Sequence, residues 1–332
     1  MHEAAVAAPG FKPTPWWWEA AEPQPRALRA LPGEAEVLVV GGGYTGLSAA
    51  LTLARLGHRP VVVDSEPIGF GASSRNGGMV SGGLKIAKDD LAARLGPERA
   101  DRVVREAASS LGFLEETIAR ESIECDYRRC GRFLAAWTRR HWDAMAARAD
   151  WLAEVTGGPV RMVPPERTGE ELGSGHYRGG MVVEAAGALH PARYVRGLAG
   201  AAERAGATLI DRTRVLAVRR AGDTFRVITD RGEIAARAVL AATNGYTGAA
   251  TPWFARRLVP VGSYMIATEE LPGELMARLF PTRRMVSDSR RVLNYFRPDP
   301  TFTRVLWGGR ASFRRTTPEA AAPVLHRFMS AV

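Results

Sequence analysis

Four glycines, Gly41, Gly42, Gly43 and Gly46, follow the apolar run Val37 to Val40, and Asp64 closes the next apolar run. A Gly-x-Gly-x-x-Gly turn between a strand and a helix suits the diphosphate of a dinucleotide. Gly41 permits the tight turn, Gly43 lets the backbone approach the anion, and Gly46 lets the helix pack on the sheet. The free amides of the helix N-terminus face the negative charge. A carboxylate about twenty residues further on, here Asp64, is placed to bond the ribose hydroxyls.

This motif does not separate NAD from FAD. The glycine- and serine-rich stretch from Gly69 to Gly83 is longer than an ordinary connection in a compact domain, which marks a functional loop. Its small residues, hydroxyls and amide (Gly69-Phe-Gly-Ala-Ser-Ser-Arg-Asn-Gly-Gly78) suit the remainder of a long cofactor. Other candidates for chemistry are weaker. His58, His141, His176 and His326 lie apart in the sequence and without Ser or Cys partners in a recognisable arrangement, and His190 precedes Pro191 at a helix start. There is no GxSxG elbow or HExxH pair, and Cys125 with Cys130 makes neither a disulfide framework nor a zinc site. No metal is expected, and the two cysteines fit a reducing, cytoplasmic setting.

With those residues in view, the chain resembles the FAD-dependent amine oxidoreductases of the D-amino acid oxidase superfamily, in the branch containing gamma-glutamylputrescine oxidoreductase. The resemblance begins in the Pro/aromatic arm ending at Trp18 and runs through the fingerprint and the GASSRNGG segment. It recurs at Gly187–Pro191, Ala241–Thr247, Pro260–Glu269 and Leu306–Arg310, and so covers essentially the whole chain. It implies that Gly41, Gly43, Tyr44, Thr45 and Gly46 hold the FAD diphosphate and Asp64 the adenosine ribose. Ser73, Asn76, Gly77 and Gly78 would approach the flavin ring, Val215 the adenine edge, and Thr243 and Asn244 the diphosphate.

Relatives that bind flavin covalently use a histidine where Arg75 stands, or a cysteine near their C-terminus, so non-covalent FAD is implied here. The implied reaction is hydride removal from the carbon beside an amine to flavin N5, then hydrolysis of the imine and reoxidation, often by oxygen. Such chemistry needs orientation and exclusion of water and no protein nucleophile. Tyr264, Asn294, Tyr295 and Arg310 are the substrate-pocket candidates, Arg310 as a carboxylate clamp. Gamma-glutamylputrescine, D-amino acids, N-methylated amino acids and polyamines all remain open as substrates. A dehydrogenase using another acceptor and a non-catalytic binding module are the alternative readings. Family members continue beyond the point where this sequence ends, which sets the expectation of a truncated chain whose flavin domain lacks a last strand and helix.

The elements that must position these residues follow from periodicity and punctuation. A strand over Val37–Val40, a helix over Thr45–Leu56 and a strand over Arg59–Asp64 form one βαβ unit. Residues 88–156 read as helical, with a strand near Cys130–Trp137 and a single helix over Arg139–Val155. A helix over Ala192–Ala205 precedes strands at Thr208–Asp211, Val215–Arg220, Phe225–Thr229 and Ala238–Ala242, with hairpin turns at Gly222 and Asp230–Gly232. The last third is strand-rich. The expected fold class is α/β: a discontinuous Rossmann-like FAD-binding domain (35–88 and 190–250) with an α+β substrate domain holding a mainly antiparallel sheet (89–189 and 251–332). Residues 1–34 form a Pro/Trp-rich arm that latches onto or covers the body.

Composition sets the outer bounds. The 332 residues are 46% hydrophobic and 24% charged, enough to bury more than one core. The net charge of +10 comes from dispersed arginine pairs such as Arg128-Arg129 and Arg290-Arg291 and not from a basic run, which argues against a nucleic-acid partner. It favours instead an anionic cofactor and acidic small substrates, while the partners the resemblance implies are a small amine or amino-acid substrate and oxygen or another electron acceptor. The uncharged stretch Val37–Ala54 approaches membrane-spanning length, but its glycines mark strand, turn and helix, so no transmembrane segment is expected.

Overall fold

The computed structural model describes residues 10–84, 86, 88–309 and 316–332. Its strands are β1 (Glu34–Val40), β2 (Pro60–Val63), β3 (Met79–Ser81), β4 (Arg132–Ala135), β5 (Val160–Val163), β6 (Gly180–Val183), β7 (Ala186–Ala188), β8 (Thr208–Ile210), β9 (Val215–Ala221), β10 (Thr224–Thr229), β11 (Gly232–Ala241), β12 (Tyr264–Ala267), β13 (Met285–Asp288), β14 (Tyr295–Pro298) and β15 (Val305–Gly309). The helices are α1 (Trp18–Ala21), α2 (Tyr44–Arg55), α3 (Lys88–Leu95), α4 (Pro97–Glu121), α5 (Arg139–Ala146), α6 (Ala149–Thr156), α7 (Pro191–Arg204), α8 (Pro252–Ala255), α9 (Gly273–Leu279) and α10 (Pro318–Ser330).

A six-stranded sheet has the order β8-β2-β1-β11-β10-β9. Its strands β8, β2, β1 and β11 are parallel, and β11, β10 and β9 form an antiparallel meander. Strand β1 is apolar on both sides because both faces are covered. Val39 points into the cluster with Leu47, Leu51, Leu198 and Leu209 under α2 and α7, while Leu38 joins Val61, Val63, Val227 and Ile234 on the other face. Helix α2 turns Gly46, Leu47, Ala50, Leu51 and Ala54 inward, a helical repeat.

A seven-stranded sheet has the order β12-β15-β14-β13-β4-β6-β5, antiparallel except where β13 runs parallel to β4. The two-stranded ladder β3–β7 pairs Met79 with Ala188 and Ser81 with Ala186. The structure therefore has the expected mixed α/β class with a mainly antiparallel second sheet.

Three local expectations change. The stretch Arg139–Val155 is two helices, α5 and α6, broken at Ala147–Arg148, where Arg148 leaves helical geometry (φ −119°, ψ 2°) without a Gly or Pro to mark it. Strand β11 starts at Gly232, directly out of the turn, because its first half pairs with β10 and its second half with β1. The Gly69–Gly83 loop carries a short 3-10 turn, Ala72–Ser74, and the strand β3. Among the described residues no helix is long and apolar enough to cross a membrane.

Candidate functional site

The glycine turn closes where β1, β2 and β11 end together. Gly41 donates to the Val63 carbonyl (2.8 Å), and Ala242 donates to Val40 (2.8 Å). Gly41 has φ +114°, and a Cβ there would lie 2.5 Å from the Ala242 carbonyl oxygen; at Gly46 a Cβ would lie 1.9 Å from the Gly41 oxygen. These glycines are required by backbone contact. Gly43 is the N-cap of α2 and supplies no capping side chain. No described residue provides an acceptor for the Gly43 and Thr45 amides, while Tyr44 N–H bonds Ser73 Oγ (3.0 Å). Open first-turn amides beside side-chain-free backbone fit a diphosphate.

Asp64 follows β2 and accepts from the Gly42 amide (2.7 Å) and the Glu66 amide (3.0 Å). Burial raises its pKa above the ordinary carboxylate value, against the lowering effect of those amides. Thr213 N–H bonds the Asp64 carbonyl (2.7 Å), so the crossing into β9 passes over the end of β2 and seats Val215 in the cluster with Val40 and Val63. Thr243 and Asn244 follow β11 beside Gly41. Thr243 Oγ1 bonds Thr247 Oγ1 (2.7 Å), and Asn244 takes a left-handed φ of +43°. The structure thus brings the cradle, Asp64, Val215, Thr243 and Asn244 to one end of the six-stranded sheet.

The loop continues this line toward the seven-stranded sheet. The Asn76 side chain works within the loop: Nδ2 donates to Tyr44 Oη, Ala72 O and Ser73 O (3.1 to 3.2 Å), and Oδ1 accepts from Gly78 N–H (2.8 Å). Burial raises the Tyr44 hydroxyl pKa, so Tyr44 stays a neutral partner. A Cβ on Gly77 would lie 3.0 Å from the Tyr295 ring, and one on Gly78 (φ +60°) 2.2 Å from the Leu189 oxygen. Arg75 packs against both Trp18 and Phe70, 4.5 Å from each ring centroid, and donates to the Phe70 carbonyl. Burial lowers its pKa.

The substrate-pocket candidates separate. Tyr295 pairs with Gly308, and Met265 also pairs with Gly308, so both share the face that meets Gly77. Tyr295 Oη bonds Ser263 Oγ (3.0 Å). Tyr264 pairs with Gly309, one residue out of phase, and packs with Leu325 and Phe328 of α10 on the opposite face. Asn294 is on that side too, its Oδ1 3.0 Å from a Cβ on Gly309 and its Nδ2 buried without a partner. The side-chain period of two puts Tyr264 and Asn294 away from Tyr295. Arg310 lies outside the described residues.

Sequence reasoning missed Arg297, Trp17 and Trp18. Arg297 stands two residues past Tyr295 on β14, hence on the same face, and donates to the Gly78 and Leu189 carbonyls (2.8 and 3.0 Å). Trp17 Nε1 donates to Asn76 O (2.9 Å) and Trp18 Nε1 to Ser74 Oγ (3.0 Å). The spacing from Tyr295 was the available signal for Arg297. His190 is the N-cap of α7, its Nδ1 accepting from Arg193 N–H, as the helix-start reading requires.

A dinucleotide cradle on a parallel sheet, joined by a glycine-rich loop to a second, mainly antiparallel sheet, defines a flavoprotein class. Residues 36–332 match the DAO family of FAD-dependent oxidoreductases, and the chain belongs to that family. It is 33% identical to the probable oxidoreductase OrdL of Rhizobium meliloti over 96% of this chain and 74% of that one. It is 30% identical to gamma-glutamylputrescine oxidoreductase of Escherichia coli over 86% of this chain and 66% of that one. Glycine oxidase from Geobacillus kaustophilus has the same fold, with a TM-score of 0.67 at 22% identity over 90% of this chain and 78% of that chain. L-proline dehydrogenase from P. horikoshii does so too, at TM-score 0.67 and 18% identity, over 90% and 77%. The chain spans about two thirds to three quarters of the length of these curated relatives. The cofactor is FAD, and the protein is an FAD-dependent oxidoreductase related to amine and amino-acid oxidases.

Proposed function

We propose that this protein oxidises the C–N bond of a small amine or amino acid, with FAD held non-covalently between its two sheets. The observation that carries this reading is the continuous line from the Gly41–Gly46 cradle through Ser73–Gly78 to Tyr295, which suits one extended cofactor with its diphosphate at the cradle and its ring near Tyr295. Bound FAD would accept the hydride from the carbon beside the nitrogen, with water hydrolysing the imine and oxygen restoring the oxidised state.

The chain's own residues bind, orient and exclude water. The amides of Gly43 and Thr45 would hold the diphosphate, and the Asp64 carboxylate would bond the ribose. Ser73, Asn76, Gly77 and Gly78 shape the backbone at the ring. Tyr295 and Met265 line the far wall, where Tyr295 is desolvated and its hydroxyl pKa raised. In this reading 35–88 with 190–250 form the cofactor domain, and 89–189 with 251–332 form the substrate domain. Their strands lie in the six- and seven-stranded sheets respectively, apart from β3 and β7. A reducing cytoplasmic setting belongs to the same reading, with Cys125 and Cys130 free and burial pushing the Cys125 thiol up to about 11.

The test is direct. The purified chain, refolded with FAD, is expected to be yellow and to bleach anaerobically with one member of a panel containing gamma-glutamylputrescine, polyamines, D-amino acids and N-methylated amino acids. Recovery of the oxidised band on admitting air, with release of hydrogen peroxide, marks an oxidase. Recovery only with an added acceptor marks a dehydrogenase, and a flavin-free product overturns the reading.

A further inference from the structure

The described N-terminal arm does not lie idle on the surface. Trp17 is 3% exposed and packs with Ala192, Leu306, Met265 and Ala267, between α7 and the β12–β15 edge of the seven-stranded sheet. Its ring meets His190 edge-on at 4.7 Å. The indole N–H groups of Trp17 and Trp18 go to the loop, one to the Asn76 carbonyl and the next to Ser74 Oγ.

Arg297 grips the end of the same loop. It is 2% exposed, and no described carboxylate lies within 4 Å, so a buried cation is held by the carbonyls of Gly78, Leu189 and Pro298 and the face of Trp17 at 5.4 Å. Burial lowers its pKa to about 10, which leaves it charged at neutral pH. A charge in such a place is costly unless its hydrogen bonds are well formed. Its partners are informative: Gly78 immediately precedes β3, Leu189 immediately follows β7, and Leu189 N–H bonds Gly78 O (2.8 Å). Arg297 therefore pins the base of the ladder that leads out of the loop.

We propose that Trp17, Trp18 and Arg297 are positioning residues, a clamp that holds the backbone of residues 74–78 in the shape FAD meets, which makes the N-terminal arm a working part of the cofactor site. The proposal rests on the reading that this loop approaches the flavin ring. Two indole donors fix its middle, a guanidinium fixes its end, and the Tyr295 ring beside Gly77 limits its outward movement.

The experiment uses the whole chain carrying Trp17→Phe, Trp18→Phe, Arg297→Lys or Arg297→Met, with Met276→Ala as a destabilised control in the α9 core. Amide exchange of the FAD-free chain and FAD titration followed by flavin fluorescence are read together. Exchange of residues 72–79 is expected to rise roughly tenfold in Trp17→Phe, and FAD to bind roughly 5- to 10-fold more weakly. Arg297→Met is expected to weaken FAD by roughly 10- to 100-fold, with Arg297→Lys between it and the parent. Met276→Ala should lower the melting temperature and leave loop exchange and FAD affinity alone.

Clamp variants that behave like Met276→Ala overturn the clamp, and the conservative Trp→Phe pair keeps the test open if Arg297→Met fails to fold. Gly77→Val separates the underlying reading. If it binds FAD like the parent, the loop is not at the flavin and the proposal falls with that reading; if it loses FAD while the clamp variants do not, only the clamp falls.

Discussion

The two faces of the seven-stranded sheet do different work, and adjacent residues divide them. On one face Phe296 stacks on Trp307 at 4.3 Å, with Leu325, Phe280 and Met276 completing a hydrophobic core. On the other, Tyr295, Arg297, Met265 and Gly308 turn toward the glycine-rich loop and the tryptophan arm. The first face is mainly apolar, with Asn294 as a buried polar exception. The second holds a buried cation, a hydroxyl and a glycine whose missing side chain leaves room for the Tyr295 ring. On the proposed reading of the site, stability and recognition are separated by a shift of one residue along a strand, and a substitution can be aimed at either.

The sharpest way to break this division is Trp307→Ala. Removing a ring at the centre of the core face is expected to cost about 3–5 kcal/mol in denaturant unfolding. FAD affinity of the fraction that remains folded should stay near that of the parent, and an equal loss of affinity would show that the faces are not independent. The neighbouring change, Gly308→Ala, drives a methyl to 2.2 Å from the Tyr295 ring. Its expected cost is smaller, about 1–3 kcal/mol. Displacing Tyr295 against Gly77 should nonetheless shift the flavin absorption bands and raise KM.

Smaller still is Tyr295→Phe, which removes the bond to Ser263 and keeps the ring; a stability change below about 1 kcal/mol is expected. Any effect of that variant should fall on kcat or KM, measured by steady-state kinetics, and not on the melting temperature. Asp64→Asn carries the comparison to the opposite wall of the site. Because burial raises the folded carboxyl pKa above the unfolded value of about 3.9, stability of the FAD-free chain falls as pH rises from there through the folded pKa. Asparagine should flatten that slope in melting curves while weakening FAD.

The cradle was legible in the sequence because its causes are local. An apolar strand, glycines at positions where a Cβ meets backbone, and a helix with no capping side chain all lie within one short stretch. Helix α7 was legible for the same reason, with Pro191 at its first position and His190 capping it. Which of Tyr264, Asn294 and Tyr295 share a face was not legible. It depends on register across β12, β15 and β14, set by pairings such as Tyr264 with Gly309 and Tyr295 with Gly308. Arg297 reads in the sequence as one more arginine in a chain full of them. Only its burial against two carbonyls from distant segments sets it apart.

The parallel pairing of β13 with β4, and the seating of Trp17 against Leu306, have a consequence in time. Trp17 leaves the ribosome roughly 290 residues before its partner strand, an interval of about 15–60 s at ordinary synthesis rates. Through that interval the tryptophan triplet has no groove to enter, and β4 waits for a neighbour from the last part of the chain. The β12-β15-β14-β13 half of the seven-stranded sheet and the arm are therefore set in place together, and the glycine-rich loop takes its final shape only when those strands arrive.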